Sequence, residues 1–327
     1  MDVLTVTLNP CIDRALYVEK LEKNGLVRSS EEFTIAGGKG ANVARQLVRL
    51  GIKASAFVVV GGESGKIYLD VLKRDGVKPI PYFVKQPTRW QETFFEKSTG
   101  KYYTVLQEPQ LIPKSEEAGI VRTITSNLKN KCLVILSGST PGDGLSSIYR
   151  KVIKDAWRLN IPCILDTYGK ALVEGVKATP FMVKPNDREC ASFLGFELKT
   201  DSDFRKAYLA FHQKGIPLIV ISLGKKGIRA SFDGMEYIVP PVKVREVNSV
   251  ASGDALVAGM VYALLKKMPF EDGLRWGCAA GAANAAEWQV ANASKESIER
   301  LVEKVIIEKR PLRAAKEQND IFDELDS

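Results

Sequence analysis

The sequence predicts an α/β fold: a doubly wound, mostly parallel sheet flanked by helices, with a small β lid. Short runs rich in Val, Ile and Leu alternate along the chain with longer amphipathic stretches, as strands do when helices cover both faces of a sheet. Those runs are continuously apolar, as buried parallel strands are. A chain of 327 residues, 45% hydrophobic and 26% charged, also holds enough apolar side chain for a large core, which excludes a disordered or fibrous protein.

In order, VLTVTL (3–8) reads as the first strand and 40–50 as a helix; AFVVV (56–60) precedes a helix at 65–75, and LVILSG (133–138) one at 145–159. CILD (163–166) and FMVKPN (181–186) continue the strands. Helices near 187–194 and 203–214, the strand LIVISLG (218–224), and helices near 253–267 and 272–287 follow. Residues 11–35 and 88–108 depart from this rhythm: RALYV, EEFTI, QETFFEK and KYYTVLQ are short strand-like pieces without a helical period. They read as antiparallel excursions that form a lid on a single domain spanning 1–327. The tail after about 310, charged apart from Ile321, Phe322 and Leu325, reads as a frayed surface helix.

The 47 Lys+Arg against 39 Asp+Glu leave a net charge of +8, which points to an anionic partner: nucleic acid, acidic lipid or a phosphorylated small molecule. No basic helix interleaved with aromatics appears, which argues against nucleic acid. Lys295, Arg300, Lys304, Lys309, Arg310 and Arg313 read as solvated charge on surface helices. A single histidine, His212, argues against His-rich metal sites and most serine or cysteine hydrolase constellations, so acid–base work falls to a carboxylate. Cysteines at 11, 132, 163, 190 and 278 show no CxxC or close pairing, which indicates neither zinc nor disulfides and fits a reducing cytosol. No signal-peptide pattern or membrane-length apolar run is present, so the expectation is a cytoplasmic protein with no membrane partner.

Four loops carry the polar chemistry. In Ala36-Gly37-Gly38-Lys39-Gly40-Ala41-Asn42, glycines before a helix let a ligand approach backbone amides, and Lys39 adds a charge suited to a phosphate or sugar hydroxyl. The spacing is not that of a Walker A loop, and a structural turn fits it equally. Asn248 to Ala255 opens an apolar helix with small residues, so amides converge at its positive end, where a transferring phosphoryl group would be stabilised. Asp254 then lies in the first turn; alone it reads as a cap of about 1 kcal/mol. In Val183-Lys184-Pro185-Asn186-Asp187-Arg188-Glu189, Asn186 and Glu189 are spaced to hold water around a magnesium ion or to form a capping box. Ser222-Leu223-Gly224-Lys225-Lys226-Gly227 ends a buried strand in a turn, at the edge where nucleotides bind.

Together these residues resemble the ribokinase-like PfkB sugar kinases. AGGKGANVA (36–44) is similar to that family's first signature, ILDTYGKAL (164–172) with VKPNDRE (183–189) to its middle motifs, and VNSVASGDALVAG (247–259) to its nucleotide-end signature. TVTLNPCID (5–13) with Thr88-Arg89 resembles the branch acting on phosphorylated ketoses, 1-phosphofructokinase and tagatose-6-phosphate kinase. The match runs from residue 3 to about 290. The resemblance implies that Asp254 is the general base and that the amides of Ala251, Ser252 and Gly253 form the anion hole. It implies that Asp13, Gly37, Gly38 and Asn42 bind the sugar, while Lys39, Arg89 and Ser139 hold its phosphate. Lys184, Asn186, Ser222, Gly224, Gly227 and Asn284 would serve ATP, and Glu189 with Asn186 would hold Mg²⁺ through water. A homodimer through the lid is implied as well.

The sequence departs from the family pattern at Ala251, where glycine is usual, at Gln107-Glu108-Pro109, and at Trp90-Gln91 after Thr-Arg. The expected activity is ATP-dependent phosphorylation of fructose 1-phosphate to fructose 1,6-bisphosphate. The alternatives are tagatose 6-phosphate, fructose 6-phosphate or an unphosphorylated sugar as acceptor, and a sensor of sugar phosphate or nucleotide without turnover.

Overall fold

The computed structural model describes residues 2–108 and 111–312. Pro109, Arg313 and the tail with Ile321, Phe322 and Leu325 lie outside the described residues. The chain begins with β1 (Asp2–Thr7), leaves the body for β2 (Cys11–Val18) and β3 (Glu31–Gly37), and returns through α1 (Lys39–Arg49), β4 (Lys53–Gly61), α2 (Gly62–Arg74) and β5 (Lys78–Val84). A second excursion forms β6 (Arg89–Glu96) and β7 (Lys101–Leu106). Next come α3 (Glu117–Ser126), β8 (Lys131–Ser137), α4 (Ile148–Arg158), β9 (Cys163–Asp166), α5 (Gly169–Val176), β10 (Met182–Val183), α6 (Asp187–Leu194), α7 (Asp201–His212) and β11 (Leu218–Ser222). β12 (Ile228–Phe232), β13 (Met235–Val239), α8 (Ser252–Leu265), α9 (Phe270–Ala285), α10 (Lys295–Val302) and β14 (Glu308–Pro311) complete it.

The main sheet has the order β14-β13-β12-β11-β10-β9-β8-β1-β4-β5. The seven strands from β11 to β5 are parallel, and β12, β13 and β14 add an antiparallel edge. This is the predicted α/β class. Side chains alternate between two cores: Leu133 and Ile135 of β8 face one, Val134 and Leu136 the other, the period-2 consequence of a pleated strand covered on both faces. Strand order reverses about β1, so the loops after β1 and β8 diverge at the carboxyl edge, where open α/β sheets bind ligands. α8 is buried almost throughout because it lies between α1 and α9. Gly259 permits that packing: a Cβ there would come within 2.3 Å of the Trp276 carbonyl oxygen.

β2, β3, β6 and β7 form a separate sheet in the order β3-β2-β6-β7. The sequence pattern suggests antiparallel pieces throughout, and this needs correcting at the centre. β2–β3 and β6–β7 are antiparallel, whereas β2 and β6 pair in parallel over Cys11–Val18. Both strands leave from the carboxyl ends of parallel body strands, β1 and β5, so they set out in the same direction. Trp288, in the loop after α9, seats this sheet on the body: its ring meets Tyr17 and Phe95 edge-on at 5.3 and 5.8 Å.

Two other expectations change. FMVKPN contributes only the two-residue β10, because Pro185 has no amide to continue the ladder, although Asn186 still bridges to Ser222. Lys309 and Arg310 lie on β14 rather than on a surface helix. Arg310 is not simply solvated, since it pairs with buried Glu236 and with Asp201 at 2.5 and 2.6 Å. No helix among the described residues is long and apolar enough to cross a membrane.

Candidate active site

The carboxyl ends of β1, β8, β9, β10 and β11, the start of α1 and the start of α8 place polar groups along one edge of the sheet. Asp254 stands in the first turn of α8 and is 4% exposed. Its Oδ2 accepts a hydrogen bond from Asn42 Nδ2 at 2.8 Å. Burial raises its pKa to about 7, and the negative charge of Asp166 adds to the rise against the opposing pull of Lys39, Asn42 and Lys184. A carboxylate tuned to neutral pH is suited to accept a proton.

Asp166, at the end of β9, is fully buried. It receives Lys39 Nζ at 3.1 Å and lies 3.4 Å from Lys184 Nζ. Burial disfavours its charge, but Lys184 and Lys39 outweigh that and hold its pKa below the ordinary value. Lys39 also reaches Glu189 Oε1 at 3.4 Å. Burial weakens the Lys39 ammonium, and Asp166, Glu189 and Asp254 more than restore it, so the lysine stays protonated. Lys184 itself is 3% exposed, and its Nζ lies 3.3 Å from the position of a Cβ on Gly253. An ammonium therefore adjoins the opening turn of α8. Asp166 and its role as counter-ion were not identified from the sequence; the signal was its place at the end of an apolar strand in CILD, directly before a turn.

The loop that opens α8 is held from behind. Asn284 donates through Nδ2 to the Val250 carbonyl at 2.8 Å and to Ser252 Oγ at 3.1 Å, and its Oδ1 accepts from the Ala291 amide at 2.6 Å. Its polar atoms thus fix the loop. Ala251 adopts φ 60° and ψ 11°, the left-handed region that costs a non-glycine residue about 1 kcal/mol or more. The strain implied by alanine at the family's glycine position is therefore present. Ser252 donates its amide to Ser249 O at 3.2 Å, while Gly253 follows directly beside Lys184.

A second group gathers where the four-stranded sheet meets the loops after β1 and β8. Asn9 Nδ2 donates to Ser139 Oγ at 3.0 Å, and the Arg89 guanidinium reaches the carbonyls of Pro10 and Asn9 at 3.4 and 3.3 Å. Asp13 of β2 is 8% exposed and its Oδ1 has no partner among the described residues. Burial raises its pKa to about 6 against the pull of Gln91 and Arg45. Gly37 ends β3, and Gly38 caps α1 with φ 110°, where a Cβ would lie 2.7 Å from Thr7 Cγ2.

Ser222 ends β11, and Gly224 and Gly227 bracket the turn after it, closed by Leu223 N donating to Gly227 O at 2.9 Å. Asn186 and Glu189 form a reciprocal capping box on α6. Glu189 Oε2 accepts the Asn186 amide at 2.9 Å and Asn186 Oδ1 accepts the Glu189 amide at 2.8 Å. Among the described residues, no three His, Cys, Asp or Glu side chains gather as a metal cage. The arrangement still suits Mg²⁺, which keeps most of its waters and needs few protein ligands: Glu189 Oε1 is free of the cap, and Asp166 Oδ2 is buried without a partner among the described residues.

The sequence comparison matches the pfkB family carbohydrate kinases over residues 6–297. The chain belongs to this family. It is accordingly an ATP-dependent carbohydrate kinase, and the pfkB resemblance read from its loops holds. Curated relatives include 1-phosphofructokinase of Bacillus subtilis (strain 168), 27% identical with 93% of this chain and 98% of that protein covered. The 1-phosphofructokinase of Vibrio cholerae is 26% identical, with 93% and 95% covered. Among solved structures, phosphofructokinase-2 from Escherichia coli in complex with substrates and products superposes with TM-score 0.84 at 25% identity, over 93% of this chain and 99% of that one. The superposition covers the large, mostly parallel sheet flanked by helices.

Proposed function

We propose that this carbohydrate kinase phosphorylates a ketose phosphate, with fructose 1-phosphate, giving fructose 1,6-bisphosphate, the first choice. The observation that carries the chemistry is buried Asp254, its pKa raised towards neutrality, at the positive end of α8 beside two lysines. In this reading Asp254 removes the proton from the accepting hydroxyl, whose oxygen attacks the γ-phosphorus of ATP while the bond to ADP breaks. The proton goes to Asp254. Amides of Ala251 and Gly253 donate to the equatorial oxygens, the Ser252 amide joins them once it leaves Ser249 O, and Lys184 and Lys39 neutralise their charge. Lys39, which the family resemblance allots to the substrate's phosphate, points instead at Asp166 and Glu189, which favours the second role. Asn186 with Ser222, Gly224 and Gly227 lies where ATP would run along the sheet edge, and Asn284 holds the anion-hole loop. Glu189 Oε1 and Asp166 would hold Mg²⁺ through its waters, and the ion would supply positive charge against the phosphates of ATP.

Asp13, with its unpartnered buried oxygen, and Asn42 would position the sugar, and Gly37 and Gly38 let its ring approach the backbone. Arg89 and Ser139 would hold the phosphate already on it. Support for a phosphorylated ketose comes from this cluster and from relatives named 1-phosphofructokinase. Arg89→Ala should raise KM for the sugar phosphate at least about tenfold while kcat changes little, as for a lost charge-assisted contact. An unchanged KM in steady-state assays would mean that Arg89 does not touch the phosphate. ADP release measured across ketose phosphates, aldose phosphates and free sugars tests the substrate itself. Fructose 1-phosphate should give the highest kcat/KM. A higher value for tagatose 6-phosphate, fructose 6-phosphate or a free sugar would replace it, and no turnover on any would favour a sensor.

We read the chain as one domain with its lid, working in the cytosol, where its five cysteines stay reduced. We also propose a homodimer through the lid. Every residue of β7 is exposed, with Tyr102, Tyr103, Val105 and Leu106 at its free edge, an apolar edge strand of the kind that seeks a partner. Sedimentation velocity should show a dimer that Tyr103→Glu converts to monomer; a monomeric parent protein would contradict it. One structure of phosphofructokinase-2 from Escherichia coli is described as tetrameric.

A further inference from the structure

Arg45 is 2% exposed, and all three of its nitrogens are committed. Its Nε donates to Asp75 Oδ2 at 2.7 Å, Nη2 to the Ala36 carbonyl at 2.7 Å, and Nη1 to Asn42 Oδ1 at 3.0 Å. Asn42 in turn donates from Nδ2 to Asp254 Oδ2 at 2.8 Å. A continuous chain therefore runs from the end of α2, through α1, to the first turn of α8. A guanidinium can only donate. Facing it, the Asn42 side chain must present its carbonyl oxygen to Arg45 and hence its NH₂ to Asp254. The reverse orientation would set NH₂ against guanidinium and oxygen against carboxylate, two repulsive contacts in a buried place.

We propose that Arg45 is a positioning residue for phosphoryl transfer: through Asn42 it reserves Oδ2 of Asp254 as a hydrogen-bond acceptor and leaves Oδ1 as the oxygen that takes the sugar hydroxyl's proton. This rests on the reading of Asp254 as the base. The O–H bond of the hydroxyl breaks, its proton joins Oδ1, and the freed electron pair forms the bond to the γ-phosphorus of ATP as ADP leaves. Because the donation from Arg45 is charge-assisted, it also polarises the Asn42 amide and strengthens its hold on the ionised carboxylate. Asp254 is faced by Lys39 and Asn42 of α1, Asp166 at the end of β9 and Lys184 after β10; Arg45 is faced by Asp75 and acts by its charge on Asp13.

The test is the pH profile of kcat. In Arg45→Met the Asn42 amide is free to rotate and the ionised base loses support, so the acid limb should move up by about one pH unit, with roughly tenfold lower kcat below neutrality and a much smaller loss above about pH 8.5. The shift should be absent when Arg45→Met is compared with its parent in an Asn42→Ala background. A limb that does not move overturns the proposal, as does a shift that persists without Asn42, which would route the effect through Asp13 or general loosening. If Arg45→Met does not fold, the wild-type protein carries the test by NMR: the Asn42 side-chain NH₂ resonances should titrate with the midpoint of the kcat limb, and resonances that ignore it overturn the proposal. Near-normal turnover in Asp254→Asn would instead sink the base reading itself. An inactive Asp254→Asn together with an unmoved limb in Arg45→Met sinks only the role of Arg45.

Discussion

Asp254→Asn should lower kcat at least about a hundredfold, the usual size of a lost general base, while the protein becomes more stable above neutral pH. The substitution keeps size and an oxygen for Asn42 Nδ2, so binding of sugar phosphate and ATP should survive. The stability effect follows from linkage. Burial raises the folded pKa of Asp254 to about 7, above its unfolded value near 4. The stabilisation tied to its proton is fully present below the unfolded value and is lost as pH rises through the folded one. At pH 8 the folded protein must hold a buried anion, which the asparagine does not. A Tm rise of a few degrees at about pH 8, where about 1 kcal/mol moves Tm by about 2–4 °C, should vanish near about pH 4. Calorimetry at both pH values with parallel ADP-release assays checks this. Near-normal turnover, or a Tm that falls at pH 8, would contradict the assignment.

Asp166→Asn should have the largest effect on the fold. Asp166 is buried between Lys39 and Lys184, and removing the charge leaves two crowded ammonium groups. Breaking a buried pair costs about 3–5 kcal/mol; Asp254 and Glu189 can take over part of its role, so the low end applies. A Tm drop of about 6 °C or more is expected. The same change withdraws the negative neighbour that helps raise the pKa of Asp254, so the acid limb of kcat should move to lower pH. An unchanged Tm would show that the lysines find equal partners elsewhere, and a limb displaced upward would contradict the electrostatic account.

The fold was legible because continuous apolar runs such as VLTVTL and LIVIS state their own burial on both faces. α3 and α5, with β5 and the edge strands β12 to β14, were not read, and α10 entered only as a surface helix carrying Lys295 and Arg300. β5 is only half-buried and carries Pro79 and Pro81, so its pattern resembles a loop, and β14 is a short charged segment whose pairing with β13, including Arg310 with Glu236, joins residues far apart in sequence. The strands of the second sheet were visible from their alternation, but the parallel pairing of β2 with β6 joins segments far apart in sequence. In the site, glycine loops and Asp254 stood out because small residues before an apolar helix are unusual. Asp166, Arg45 and Trp288 did not, since their roles arise from groups brought together across the fold: Asp166 at the end of β9 meets Lys39 at the start of α1, 127 residues away. Ala251 lies between these cases. Its place in the loop was plain, and its positive φ became a fact only with the backbone.

The claim on which the account turns is that the Asp254 carboxylate takes the hydroxyl's proton. Its most direct test is kcat at saturating fructose 1-phosphate and ATP from about pH 5.5 to about 9, for the wild-type protein and Asp254→Asn together. The account predicts a wild-type kcat that rises through a single ionisation close to neutral pH and then levels, and a variant whose small residual rate shows no such rise. Equal profiles for the two proteins, or a wild-type kcat that is flat across the range, would contradict it.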